Sequence, residues 1–60
     1  MMRIILDVYE TLQRRFALED DIIYEAMESG MDDCKRASPT GRYTLQQLLD
    51  ASSEHLKRYI

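Results

Sequence analysis

The chain has 60 residues, of which 45% are hydrophobic and 32% charged, with two glycines and one proline. This composition excludes a disordered tail and a fibrous repeat, and the length allows a single domain spanning residues 1–60. Eight Lys and Arg against eleven Asp and Glu give a net charge of -3, which argues against electrostatic capture of nucleic acid by the molecule as a whole.

The hydrophobic residues in the first half of the chain repeat with the period of a helix. At 100° per residue they share one stripe, and Met2 lies at its edge. The members of the stripe are Ile5, Val8, Tyr9, Leu12, Phe16, Ile23, Ala26 and Met27. The apolar residues up to Phe16 and those from Ile23 onward have the same helical phase. The pattern therefore predicts one long helix over about residues 2–29, capped at its C-terminus by Gly30.

The charges around Leu18 are typical of two helices rather than one. Arg14 and Arg15 suit a helix C-terminus, and the acidic residues 19–21 suit a new N-terminus, as the helix macrodipole would sort them. No glycine or proline interrupts residues 12–28, however, so we favour the continuous helix. A three-helix domain with a break near Leu18 is the alternative.

A connection and a second helix follow. Residues 38–41, Ser-Pro-Thr-Gly, have the arrangement of a type I turn within a connection over 31–43. Thr44 and Gln47 match a capping box, which predicts a second amphipathic helix over about 44–59. Its apolar face carries Leu45, Leu48, Leu49, Ser52, Leu56 and Tyr59.

These two helices predict an all-α fold, an antiparallel helical hairpin. At 1.5 Å per residue the first helix is about 42 Å long and the second about 24 Å, so part of the apolar stripe stays uncovered. We expect a homodimer, a four-helix bundle, to cover that part. The expected dimer interface comprises Met2, Ile5, Val8, Tyr9, Leu12, Phe16, Ile22 and Ile23.

The sequence indicates no catalytic or metal-binding equipment. Cys34 and His55 are the only soft metal ligands, too few for a zinc site, and no set of residues combines a nucleophile, a base and an orienting group. We expect no enzyme activity, no cofactor and no small-molecule substrate, and a non-catalytic loop thiol at Cys34. One cysteine allows no intrachain disulfide, and the apolar run 4–6 is too short for export or membrane insertion, so we expect a cytoplasmic location.

Two surfaces could bind other molecules. Residues 19–33 hold seven acidic residues and no Lys or Arg, which suits docking to a basic patch on a larger protein; the candidate contacts are Glu19, Asp20, Asp21, Glu25 and Glu28. We therefore expect an interaction module, an adaptor, inhibitor or regulator that uses this acidic face and the exposed apolar stripe. The alternative is a dimeric nucleic-acid-binding regulator using Lys35, Arg36 and Arg42 in the connection.

Overall fold

The computed structural model of the chain describes residues 3–60, and side chains from residue 5 onward. It contains three α-helices and a short 3₁₀ helix: α1 (Arg3–Phe16), α2 (Asp20–Ala37), α3 (Leu45–Leu56) and η1 (Lys57–Tyr59). The three α-helices pack together, and the predicted all-α class is confirmed. None of the helices within residues 3–60 combines the length and the apolar composition needed to cross a membrane.

The prediction of one continuous helix over residues 2–29 is wrong. Helix α1 ends at Phe16, and Ala17 has a φ of 52°, in the left-handed region that ends many helices. The Ala17 amide donates to the carbonyl of Gln13 at 2.9 Å. Helix α2 then begins after Glu19, whose backbone is extended. The alternative, a break near Leu18, is the one that the structure confirms.

The charges around the break favour two helix ends at this place. Arg14 and Arg15 lie in the last turn of α1, and Asp20 and Asp21 lie in the first turn of α2. Each pair lies at the helix end whose partial charge is opposite to its own. Each such charge stabilises the helix by about 0.3–1 kcal/mol. The break also lets α1 fold back and bury its apolar face.

One hydrophobic core forms between the three helices. Its buried members come from all three of them: Val8, Leu12, Ile23, Ala26, Met27, Leu48, Leu49 and Leu56. Ile5, Tyr9, Phe16 and Ile22 are partly buried and pack against this core. Most of the predicted dimer interface is therefore covered within one chain, while Met2 lies outside the described residues. The uncovered stripe that predicted a four-helix bundle depended on the hairpin, and its members from Ile5 onward pack in or against the core of the single chain.

Helix α2 does not end at Gly30, as predicted, but continues to Ala37. Gly30 is buried where α2 meets α3, and a Cβ atom placed on it would lie 2.6 Å from Ser52 Oγ and 3.0 Å from the Ser52 amide nitrogen. The glycine therefore serves the close approach of two helices rather than a cap. The connection shortens accordingly from residues 31–43 to residues 38–44.

The predicted capping box at the start of α3 is confirmed. The Gln47 amide donates to Thr44 Oγ1 at 3.1 Å, and the Thr44 amide donates to Gln47 Oε1 at 2.7 Å. The turn before it closes with the Gly41 amide donating to the Ser38 carbonyl at 3.2 Å. Both motifs depend on neighbours in sequence, so the local pattern was sufficient to place them.

We expect Gly30→Ala to destabilise the fold by about 1–3 kcal/mol, the usual range for overpacking a core. The added methyl group meets backbone as well as side-chain atoms of Ser52, so α2 and α3 must move apart. Urea unfolding measures the change, with Ser29→Ala, one residue earlier on α2, as the control. Equal stability of the two variants would show that the helix contact tolerates a Cβ.

Candidate functional site

Helix α2 carries a straight line of carboxylates on its outer face, and we name it the acidic stripe: Asp21, Glu25, Glu28 and Asp32. Their spacing of four, three and four residues keeps them within about 60° of one another around the helix. All four are exposed, because the opposite side of α2 is buried in the core. Among the side chains that the structure describes, none of the four forms a salt bridge.

Two of the predicted partner-binding residues lie apart from this stripe. Glu19 precedes the first turn of α2 and makes no side-chain cap. Asp20 faces α1, where it accepts a hydrogen bond from the Tyr9 hydroxyl and a longer one, 3.5 Å, from Gln13 Nε2. Asp32 joins the stripe instead. Asp32 was not predicted as a contact because the predicted first helix ended before Gly30.

Tyr9 and Tyr24 stack across the junction between α1 and α2. Their ring centroids are 5.0 Å apart and the planes are inclined by 9°. The hydrogen bond to Asp20 favours the protonated hydroxyl and, with partial burial, raises the pKa of Tyr9 to about 12. Tyr24 remains 50% exposed and borders the acidic stripe, since it lies about 40° from Glu28 around the helix. An aromatic ring held by stacking therefore stands beside the carboxylates.

The predicted nucleic-acid contacts are not gathered in one loop. Lys35 and Arg36 lie in the last turn of α2, where they line a shallow depression together with Asp32. Arg36 also donates to Asp33 Oδ1 at 2.8 Å. Arg42 lies in the connection between α2 and α3 and lines a separate groove between these two helices. These cations therefore adjoin carboxylates and do not form a basic patch of their own.

Asp33 links α2 to α3 through a partly buried histidine. Its Oδ2 atom lies 2.7 Å from Nε2 of His55, 22 residues away in sequence. The hydrogen bond to His55, together with that to Arg36, lowers the pKa of the Asp33 carboxyl, although partial desolvation opposes the shift. Asp33 is thus a structural carboxylate that joins two helices, whereas the members of the acidic stripe form no salt bridge with any described side chain.

An open groove of about 590 Å³ lies between α2 and α3 and is closed at one end by their connection. Among its lining residues are Cys34, Ala37, Pro39, Arg42 and Asp50. Cys34 was expected in a loop, but it lies within α2 and is buried. Burial, with the nearby charge of Asp33, raises the pKa of its thiol. The thiol therefore stays protonated at neutral pH and is a poor nucleophile.

Across the part of the chain that the structure describes, no three His, Cys, Asp or Glu side chains are placed to hold a metal ion together. Comparison of the chain with protein-family models, with curated proteins and with solved structures finds no match in any of the three. The function therefore has to be inferred from the surface of the molecule, where the acidic stripe is the most distinctive feature.

We expect Asp33→Asn to lower the melting temperature at neutral pH. A carboxyl whose pKa is lower in the folded than in the unfolded state stabilises the fold above its unfolded pKa, and this contribution is lost as the pH falls through the folded pKa. Because the pKa of Asp33 is lowered, the difference between wild type and variant should persist at pH 5 and vanish in stronger acid. Thermal unfolding followed by circular dichroism across this range tests it.

Asp32→Asn is the matched control, because it removes the same charge from the neighbouring residue, which forms no salt bridge among the described side chains. It should leave the melting temperature almost unchanged at every pH. The link between α2 and α3 through His55 would be refuted if both variants lost the same stability with the same pH profile.

Proposed function

We propose that this chain is a small protein–protein interaction module, an adaptor or inhibitor, that binds a basic surface of a larger protein through the acidic stripe. The observation that carries the proposal is the alignment of four exposed carboxylates, none of which forms a salt bridge with a described cation. They extend over about 16 Å of helix, a length that matches a basic helix or groove edge on a partner.

Stabilisation of α2 by the helix macrodipole does not account for the position of the acidic stripe along that helix. Asp21, in the first turn, is favoured by the helix macrodipole. Glu28 lies at the middle of the helix and Asp32 beyond it, where the macrodipole gives no such gain. Neighbouring like charges three or four residues apart cost a helix about 0.2–0.5 kcal/mol per pair. A basic partner would relieve this repulsion and would be attracted over a distance, so its association would be fast and sensitive to salt.

Tyr24 supplies the apolar component of the proposed contact. Aromatic side chains are enriched in the centres of protein interfaces, and the ring of Tyr24 is half-exposed and already ordered by stacking on Tyr9. Ordering before binding reduces the entropy lost on association. Tyr24 thus takes the place of the extended apolar stripe that the sequence predicted, because most members of that stripe lie in or against the core.

The proposed module acts in the cytoplasm, since its one cysteine is a free thiol and the reducing environment there keeps thiols in that form. The nucleic-acid alternative needs Lys35, Arg36 and Arg42 to act together. Lys35 and Arg36 adjoin the acidic stripe at Asp32, and Arg36 is paired with Asp33. No observation of the structure favours that alternative over binding to a protein.

The test removes three of the four charges of the acidic stripe and keeps the size of the side chains. In one variant Asp21, Glu25 and Glu28 become Asn, Gln and Gln, and affinity capture from the native lysate identifies the proteins lost relative to wild type. We expect a basic protein whose purified form binds the variant at least about tenfold more weakly than wild type, a loss of about 1.4 kcal/mol. Titration calorimetry at two salt concentrations should show that the wild-type affinity falls with salt.

The control replaces Asp7, Glu10 and Asp50, all exposed, by Asn, Gln and Asn. It changes the net charge by the same amount but leaves the acidic stripe intact, so it should bind like wild type. Equal binding by stripe and control variants would refute the proposed surface. A gel shift of bulk nucleic acid that Arg36→Ala and Arg42→Ala abolish would support the nucleic-acid alternative instead.

A further inference from the structure

The junction between α1 and α2 is short and strained. It consists of residues 17–19, Ala-Leu-Glu, and Ala17 adopts a φ of 52°, which L-residues other than glycine rarely adopt. Alanine, leucine and glutamate are all strong helix formers. The local sequence therefore favours a helical junction, and the observed bend is maintained by the packing of α1 against the rest of the chain.

The core residues on the two sides of the junction are in helical phase with each other. If residues 3–37 were one straight helix, Val8, Leu12, Ile23, Met27 and Gly30 would fall within an arc of about 100°. All five are buried in the three-helix fold. A straightened chain would therefore present the same side chains on one continuous face, with α1 carried away from its own α2 and α3.

We propose that two copies of this chain exchange α1, so that residues 3–37 of each copy form one continuous helix and α1 of one copy packs on α2 and α3 of the other. Short, strained hinges favour such an exchange of identical elements. The core contacts of α1, the hydrogen bond from Tyr9 to Asp20 and the stacking of Tyr9 on Tyr24 all re-form between the copies. Only the junction changes, where the strain at Ala17 is relieved and helical hydrogen bonds are gained.

Glu19 is the residue that favours the single chain over the exchanged dimer. In the three-helix fold it is exposed, immediately before the first turn of α2. In the straightened helix it lies within the apolar arc, between Phe16 and Ile23. The two junctions of an exchanged dimer adjoin its twofold axis, so two carboxylates meet there on an apolar face, which is unfavourable for both charges. The acidic residue in the apolar stripe thus acts against the exchange.

Two substitutions should shift the equilibrium in opposite directions. Glu19→Leu removes the two carboxylates, and we expect the dissociation constant of the dimer to fall at least about tenfold. Ala17→Gly removes the strain from the single chain and weakens the continuous helix, and we expect that constant to rise about 25-fold, roughly fivefold for each junction. Sedimentation equilibrium over a range of concentrations, up to millimolar, measures both.

Matched controls separate the junction from general effects of the substitutions. Glu10→Leu makes the same replacement on the exposed face of α1, and Ala37→Gly makes the same replacement at the exposed end of α2. Neither should change the dissociation constant by more than about twofold, since both sites have the same surroundings before and after exchange. If Glu19→Leu precipitates, Glu19→Gln tests the charge alone and should also strengthen the dimer.

The contacts within the dimer distinguish exchange from side-by-side association. In a mixture of isotope-labelled and unlabelled Glu19→Leu chains, methyl groups of Val8 and Leu12 should show nuclear Overhauser effects to Leu48 and Leu56 of the other copy. A dimer in which these effects are only intramolecular overturns the proposal. So does an unchanged dissociation constant for Ala17→Gly, or the absence of a dimer at millimolar concentration in both wild type and Glu19→Leu.

Discussion

The burial of Val8 and Leu12 against α2 and α3 is the interaction that holds α1 on the other two helices, and the bend at Ala17 depends on it. Both side chains are fully buried, and removing an aliphatic side chain from water is worth about 1.5–3 kcal/mol. Together they supply about 3–6 kcal/mol, whereas the left-handed conformation of Ala17 costs about 1–2 kcal/mol. The gain exceeds the cost, so the chain bends. A domain of 60 residues has few alternative sources of stability, since it buries only about 60% of its unfolded surface.

The bend and the close contact between α2 and α3 together determine which side of α2 faces the solvent. Gly30 meets Ser52 at the helix contact, and α1 covers the neighbouring part of the same apolar face. The acidic stripe lies opposite this face and is exposed. Its exposure is a consequence of packing on the other side of α2.

Features that depend on sequence neighbours were predictable, and features that depend on packing were not. The capping box at Thr44 uses only residues 44–47, and the structure confirms it. The residues around Gly30 in the sequence are equally compatible with a helix cap. Only the approach of Ser52 shows that this glycine allows close contact between α2 and α3. The break at Ala17 was obscured because the apolar phase is the same for a straight and a bent chain. The charges on either side of the break carried the information that the apolar pattern lacked.

The preserved phase also connects the two proposals, which otherwise rest on separate observations. Asp21 and Asp32 lie on the face of α2 opposite to the one that α1 covers, so the acidic stripe is the same whether α1 belongs to its own chain or to a second copy. A single chain offers one stripe and an exchanged dimer offers two. Two linked sites bind a partner with repeated basic surfaces more tightly than one, provided that the spacing allows both to engage. Exchange of α1 would therefore change the valency of the module while leaving each binding surface intact.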